Sequence, residues 1–417
     1  MIQRIKGTQD WLDLKLFNFV LDQIKKHLTF YNFTEIKTPI LEPTELFKRS
    51  LGVATDVVSK EMFIIKTEKN DDVMCLRPEA TASTVRAFIE NSVVDVPWKV
   101  FSWGSMFRYE RPQKGRYREF HQINIENIGA SSIGNDAELI KMLDRFFHEK
   151  LKLENYALMV NFLGSFQDRA NYKNILKTFL ESDACAGICE TCKERKDANT
   201  LRVFDCKNPE CQKLYENAPK MVDHLSVESQ KEWQELQQQL ELLSVSFIIN
   251  PKLVRGLDYY NKTVFEFSSN DLGAQNTFCA GGRYDALVKE LGAKQDQPAL
   301  GAAIGIERLL LLLEPNQDRL PIAQSSKLTV IIPVAEEQRM LAMLIADELH
   351  AQELCAQVML DGGKVKKMMQ KANKMGATYA VIVGEDEQHN HEVTLKNMTS
   401  GAEDRVKQVD LVNILKG

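Results

Sequence analysis

A chain of 417 residues and 47.6 kDa is too long for one small module and, at roughly 150 residues per domain, suggests two or three domains. Hydrophobic residues at 44% and charged residues at 27%, with no low-complexity tract, exclude wholesale disorder. The balance of 53 Lys and Arg against 58 Asp and Glu leaves a net charge of −5, so a polyanionic partner has to be met by local basic patches.

No stretch approaches the ~20 apolar residues of a membrane span, and Met1 to Trp11 carries Arg4, Lys6 and Asp10 without an apolar run. This predicts a soluble, cytoplasmic chain with no membrane partner. Beyond Trp11, Phe17, Val20, Leu21, Ile24, Leu28 and Tyr31 keep the three/four spacing of an amphipathic helix. In Leu76-Arg77-Pro78-Glu79-Ala80-Thr81, Pro78 extends the residue before it and starts a helix, leaving Glu79 and Thr81 in the first turn. A capping acid is the plain reading of Glu79.

Segments 99–110 and 120–128, rich in aromatic and β-branched residues, flank a polar stretch with Pro112 and Gly115, which predicts two antiparallel strands joined by a long loop. Arg108, Arg111, Lys114, Arg116 and Arg118 crowd that loop against one acid, Glu110, and such a loop attracts phosphates. On the return strand, period two puts Gln122, Asn124 and Glu126 on one face and Ile123 and Ile125 on the other. A solvated antiparallel face with a basic loop is the competing reading.

From about 165 to 245 the texture changes to an inserted, mostly helical unit, with a cysteine cluster followed by the Gln/Glu/Leu-rich run Trp233 to Leu243. Cys189-x2-Cys192 and Cys206-x4-Cys211, thirteen residues apart, come close to zinc-ribbon spacing, with free thiols as the alternative. A β pattern resumes at 263–267, 277–280 and 300–306. Leu253 to Tyr260 and Ala280 to Asp285 supply glycines for close backbone approach and tyrosine hydroxyls for a polar ring. LGAAIGIERLLLLL (300–313) reads as a strand and then a buried helix, whose only cation, Arg308, needs an anionic partner.

Residues 315–327 have a linker's composition. Beyond them, apolar runs at 328–334, 356–360 and 379–383 alternate with helical patterns near 337–354 and 364–375, which predicts a small α/β domain on parallel strands. Lys364, Lys366, Lys367, Lys371 and Lys374 would make its second helix a phosphate track, although most lysine-rich helices are simply solvated.

TPILEPTELFKRSLG (38–52), FRYERPQKGRYREFHQ (107–122) and ALGAAIGIERLLL (299–311) resemble motifs 1, 2 and 3 of the class II aminoacyl-tRNA synthetases. LVRGLDYYNKTVFEF (253–267) and AGGRYDALV (280–288) resemble the two signatures peculiar to the histidyl-tRNA synthetase family, so the resemblance spans nearly the whole chain. It implies an α+β catalytic domain with an antiparallel sheet over 1–320, a linker at 315–327 and an α/β anticodon-binding domain over 328–417.

The activity implied is that of a histidine–tRNA ligase: L-histidine and ATP give histidyl-adenylate, with Mg²⁺ on the pyrophosphate, and histidine passes to the 3′ end of tRNA(His). Motif 1 implies a homodimer. Glu79, Thr81 and Gln122 would hold the histidine α-amino group, and Glu126 and Tyr260 would bond opposite edges of the imidazole, with Tyr259 and Tyr284 completing the pocket. Arg108 would grip the ATP α-phosphate, Arg308 the γ-phosphate, and Arg255 the α-phosphate and the histidine carboxylate. Gln113, Lys114 and Arg116 are candidates for the tRNA acceptor stem. Ala80 stands where the family commonly has glycine, a small departure from which no loss is expected. The family does not require zinc. The alternative is a catalytically silent synthetase paralogue serving as a regulatory subunit in histidine biosynthesis.

Overall fold

The computed structural model describes residues 2–53, 55–66, 73–322 and 327–416. They divide into two compact units, Met1–Ile322 and Ala323–Gly417. Among the described residues no helix is long and apolar enough to cross a membrane.

The first unit is built on an eight-stranded sheet in the order Thr34–Glu35, Trp98–Phe107, Glu119–Ile128, Ala299–Gly305, Thr277–Arg283, Asn261–Ser268, Ala157–Phe162, Ile248–Ile249. The six long central strands run antiparallel, and the two short outermost ones pair parallel with their neighbours. The hairpin at 98–128 is in register from Trp98 opposite Ile128 to Phe107 opposite Glu119, so the basic loop begins where pairing ends.

The sheet is covered on one face because its alternating apolar residues need a partner layer. Ile123, Ile125, Phe265, Phe267 and Ile304 pack there against the helix Lys15–Phe30, through Phe17, Val20, Leu21, Ile24 and Leu28, and against Gly134–Arg145 and Ile306–Leu313. Each such side chain contributes about 1.5–3 kcal/mol on full burial. The opposite face carries Gln122, Asn124 and Glu126.

Two glycines let the central strands pack closely, Gly301 on the polar face opposite Glu126 and Gly281 on the core face opposite Phe265. A Cβ on Gly301 would lie 1.8 Å from a Glu126 carboxylate oxygen and 2.7 Å from the Ile125 carbonyl. On Gly281 it would lie 2.3 Å from the Gly301 carbonyl oxygen. Neither position tolerates a side chain without moving a strand.

The insertion is helical, with Phe166–Leu180, Glu190–Ala198, Pro209–Leu214 and Val227–Leu242 as its main elements. It has no separate core. Leu176, Cys192, Val203, Cys211 and Tyr215 join a cluster with Phe47, Val85, Tyr260 and Tyr284, whereas Trp233, Leu236 and Leu240 join the main core behind the sheet. The predicted linker begins in a 3-10 helix, Glu314–Arg319, followed by the buried Leu320; residues 323–326 of it lie outside the described residues.

The second unit has a five-stranded sheet in the order Ala356–Val358, Thr329–Pro333, Tyr379–Val383, Glu392–Asn397, Glu403–Lys407. The first three strands are parallel, as the apolar runs predict, but the last two form an antiparallel hairpin that the sequence pattern hides. Glu403–Lys407 is an edge strand with four of its five residues exposed, and charged edge residues mask a strand's alternation. Ile331, Val381 and Val383 face Arg339–Ala351, and Val330, Ile332 and Ala380 face Val365–Lys374. All five lysines from Lys364 to Lys374 are exposed, and Lys371 pairs with Asp361 at 3.4 Å.

Candidate active site

A cleft of about 390 Å³ opens on the polar face of the large sheet. Gln122 and Asn124 of the return strand line it, while Ile123 and Ile125 enter the core behind, as alternation requires. Gln122 Oε1, Asn124 Nδ2 and Arg255 Nε are buried without a hydrogen-bond partner. Unpaired polar atoms cost about 1–3 kcal/mol each, so three around one cleft mark a surface made for a polar ligand.

Arg108, Arg255 and Arg308 all line this cleft. Arg108 leaves the end of its strand, donates from Nε to the Pro78 carbonyl at 2.9 Å and lies 5.4 Å from the centre of the Phe120 ring. Arg308, in the first turn of Ile306–Leu313, donates to the carbonyls of Gly115 (3.0 Å) and Thr277 (2.5 Å). Among the described residues, neither has a carboxylate within 4 Å. Among the described residues, then, no side chain supplies the anionic partner expected for Arg308. Burial, and then the nearby charges of Arg116 and Arg108, pull its guanidinium down to about 10, which leaves it charged and short of counter-charge.

Arg255 differs: it is ion-paired with Glu266, whose other oxygen accepts from the Thr277 hydroxyl at 2.9 Å. In the basic loop, Arg116 is held by Glu110, with Glu61 at 3.9 Å, whereas Gln113 and Lys114 are exposed.

The carboxylates behave as two layers. Glu79 lines the cleft and caps the helix Thr81–Glu90, accepting from the Thr81 and Ala82 N–H groups at 2.9 and 2.8 Å, so a capping acid also faces the cleft. Ala80 has φ −114°, a conformation any residue adopts, so nothing there demands glycine. Glu126, two residues past Asn124, is 1% exposed and sits deeper; the Thr81 hydroxyl (2.7 Å) and the Tyr284 hydroxyl both donate to it. Tyr259 and Tyr260 line the cleft, with ring centres 4.5 Å apart, and Tyr284 packs behind at 5.6 Å from Tyr259. All the residues expected to take histidine are thus gathered in one place, with Glu126 and Tyr284 behind those that line the cleft.

Burial pushes the Glu126 carboxyl up to about 8, against two hydroxyl donors that favour ionisation. An unfolded glutamate titrates near 4.5, so between those values the folded chain holds a proton that the unfolded chain has lost. The stability this group supplies is complete at low pH and falls as pH rises through that window. Glu126→Gln, neutral throughout, is expected to flatten this decline and so to gain in stability relative to the parent as pH rises through the window. Thermal unfolding of the ligand-free protein across the range measures both slopes, and equal slopes contradict the assignment.

Several site residues escape a reading of the sequence. Glu266 is legible as an acid between the buried Phe265 and Phe267, but nothing local says that Arg255 is its partner. Phe120 looks like an ordinary strand aromatic until Arg108 lies over it. Arg202 and Asp56, 3.3 Å apart on the cleft wall, come from segments 146 residues apart in sequence. Arg283 of the glycine pair is structural, 1% exposed and bound to Asp136 and Asp285.

The four cysteines Cys189, Cys192, Cys206 and Cys211 converge in the insertion, with all sulfurs within 4.8 Å of one another.

An antiparallel sheet bearing an arginine-lined cleft, with a separate α/β unit in the same chain, is the architecture of a class II aminoacyl-tRNA synthetase. The family model described as histidyl-tRNA synthetase matches residues 19–309, and that of the anticodon binding domain matches 329–417. Over 415 residues the chain is 39% identical to a histidine–tRNA ligase of Clostridioides difficile (strain 630), covering 99% of this chain and 98% of that protein. The crystal structure of apo S. aureus histidyl-tRNA synthetase matches over 100% of both chains, with TM-score 0.83 and 31% identity. An ATP phosphoribosyltransferase regulatory subunit/histidyl-tRNA synthetase from Bacillus halodurans C shares the fold, with TM-score 0.61 and 20% identity over 89% of this chain and 96% of that one. The chain belongs to the histidyl-tRNA synthetase family.

Proposed function

We infer that the chain is a histidine–tRNA ligase, which activates L-histidine with ATP and transfers it to the 3′ end of tRNA(His). The observation that carries the mechanism is the pair of cleft arginines, Arg108 and Arg308, bonded only to backbone carbonyls and free of carboxylate partners among the described residues. Positive charge kept in this state fits the phosphates of ATP.

In the activation step a histidine carboxylate oxygen attacks the α-phosphorus, the bond to the bridging oxygen breaks, and pyrophosphate leaves. The reaction needs little covalent help, so placement and charge supply most of the acceleration. Arg108 takes the α-phosphate, Arg308 the γ-phosphate, and the unpartnered Nε side of Arg255 the α-phosphate and the histidine carboxylate. Of the acids lining the cleft, Asp56, Glu79, Glu110, Glu266 and Glu307 are engaged by protein donors, and Glu61 has Arg116 at 3.9 Å. With those acids engaged, a Mg²⁺ would be held chiefly by the triphosphate and water, and when bound it would supply charge neutralisation to the pyrophosphate.

Glu79, Thr81 and Gln122 take the α-amino group, the last through its orphaned Oε1. Glu126 and Tyr260 take the two ring nitrogens of histidine, with Tyr259 and Tyr284 closing the pocket. An amino acid lacking either nitrogen leaves a buried group unpaired, worth roughly 10⁴-fold in selectivity. In the second step the terminal ribose hydroxyl of tRNA attacks the adenylate carbonyl and AMP leaves. Gln113 and Lys114, both exposed, and Arg116 take the acceptor stem, and residues 328–417 with their exposed lysines take the anticodon end. A silent regulatory paralogue would have no use for the uncompensated arginines. Charging of tRNA(His) with labelled histidine tests the reading, and no charging above a minus-enzyme control contradicts it.

The working form is a homodimer through residues 38–52, in the cytoplasm where tRNA is charged. Ile40 and Leu41 there, and Ile64 on the far strand of the same three-stranded sheet, are exposed apolar side chains that a self-complementary two-fold contact would cover. Light scattering at micromolar concentration is expected to give twice the chain mass, and a monomer refutes it.

A further inference from the structure

We propose that Cys189, Cys192, Cys206 and Cys211 bind one Zn²⁺ that clips the insertion onto the wall of the nucleotide cleft. The sulfurs of Cys189 and Cys206 are 3.7 Å apart, far beyond a disulfide and matching the edge of a tetrahedron with Zn–S bonds of about 2.3 Å. Cys192 and Cys211 are fully buried, Cys206 nearly so and Cys189 partly, so the site is largely closed to solvent, as a structural zinc site requires.

The surroundings are those of thiolates rather than of idle thiols. The Cys189 N–H points at Cys211 Sγ (3.2 Å) and the Asn208 N–H at Cys206 Sγ (3.4 Å), backbone donors of the kind that orient metal-bound sulfur. Tyr215 Oη, beside Cys192, is buried without a hydrogen-bond partner; a metal-bound thiolate would give it an acceptor. The fifth cysteine of the segment, Cys185, lies outside the cluster.

The chain between the two cysteine pairs shows what the clip is for. It contains the 3-10 helix Thr200–Asp205, preceded by Asn199. Asn199 donates to Asp258 at 2.5 Å, inside the segment that carries Arg255, Tyr259 and Tyr260. Arg202 lines the cleft and reaches Asp56 at 3.3 Å, and its carbonyl accepts from Arg195 at 3.1 Å. A metal tying Cys189 and Cys192 before this helix to Cys206 and Cys211 after it fixes both contacts at once. Zinc binding stands independently of the ligase reading, whereas its effect on histidine activation rests on that reading.

The test begins with elemental analysis of the full-length protein prepared without chelator. One zinc per chain is expected, retained in Cys355→Ser and lost in Cys189→Ser with Cys211→Ser. Because the double variant could unfold, a mercurial thiol reagent applied to the parent should release one zinc, and cobalt grown into the protein should give the visible absorption of a tetrahedral tetrathiolate. Metal-free protein that remains folded by circular dichroism should show histidine-dependent pyrophosphate exchange about ten- to a hundredfold weaker, as expected of a misplaced cleft wall. Iron in place of zinc, no metal and no cobalt signal, or zinc retained in the double variant would each overturn the site. Metal-free folded protein with unchanged exchange would overturn the clip, while exchange absent from zinc-loaded parent would count against the ligase reading alone.

Discussion

Arg308→Ala is expected to lower histidine-dependent adenylate formation by about 10² to 10³-fold while leaving the fold intact. The loss is that of one preorganised charge facing a developing phosphate anion, worth about 3–4 kcal/mol of transition-state stabilisation. The fold should survive because Arg308 makes no ion pair among the described residues and, being buried near other arginines, is costly in the ligand-free protein. Arg255→Ala supplies the contrast: it strands Glu266 in a half-closed site, so it should reduce both rate and melting temperature. Arg308→Lys should recover part of the rate, since a lysine restores charge without the planar fork. Stopped-flow adenylate formation with parallel thermal melts separates these outcomes. Near-normal adenylate formation by Arg308→Ala would remove the phosphate role assigned to it.

Ending the chain at Ile322 is expected to keep adenylate formation within about tenfold and to cost transfer to tRNA more than about a hundredfold. Every residue assigned to histidine and ATP precedes that point, and Leu320 belongs to the core of the first unit. The exposed lysines from Lys364 to Lys374 follow it. For every tRNA phosphate that is no longer neutralised, the salt dependence of the remaining binding should flatten by about one unit of slope. Exchange and charging measured on one preparation decide the matter; equal loss of both in a folded protein would show that residues 328–417 are not a separable recognition unit.

Much of this is legible in the sequence where periodicity and composition agree. The first helix announces itself through Phe17, Val20, Leu21, Ile24 and Leu28, and all five are buried. The hairpin at 98–128 is visible because β-branched and aromatic runs flank a loop with proline and glycine. Alternation along Gln122 to Glu126 separates core from cleft, but it cannot say that Glu126 lies beneath the floor, since depth depends on Gly301 one strand away. Pairings between distant segments are likewise out of reach: Arg255 with Glu266, Glu307 with His121, and Asn199 with Asp258 are matters of packing. The hairpin at 392–407 stays hidden because its outer strand is charged and carries little apolar alternation.

The central claim, that the cleft joins histidine to the α-phosphate of ATP, is tested most directly by pyrophosphate exchange with each of the twenty amino acids supplied alone. Exchange with histidine, and at least about 10⁴-fold less with any other, is the predicted result. Exchange with none, or equal exchange with an amino acid lacking a ring nitrogen, would contradict it.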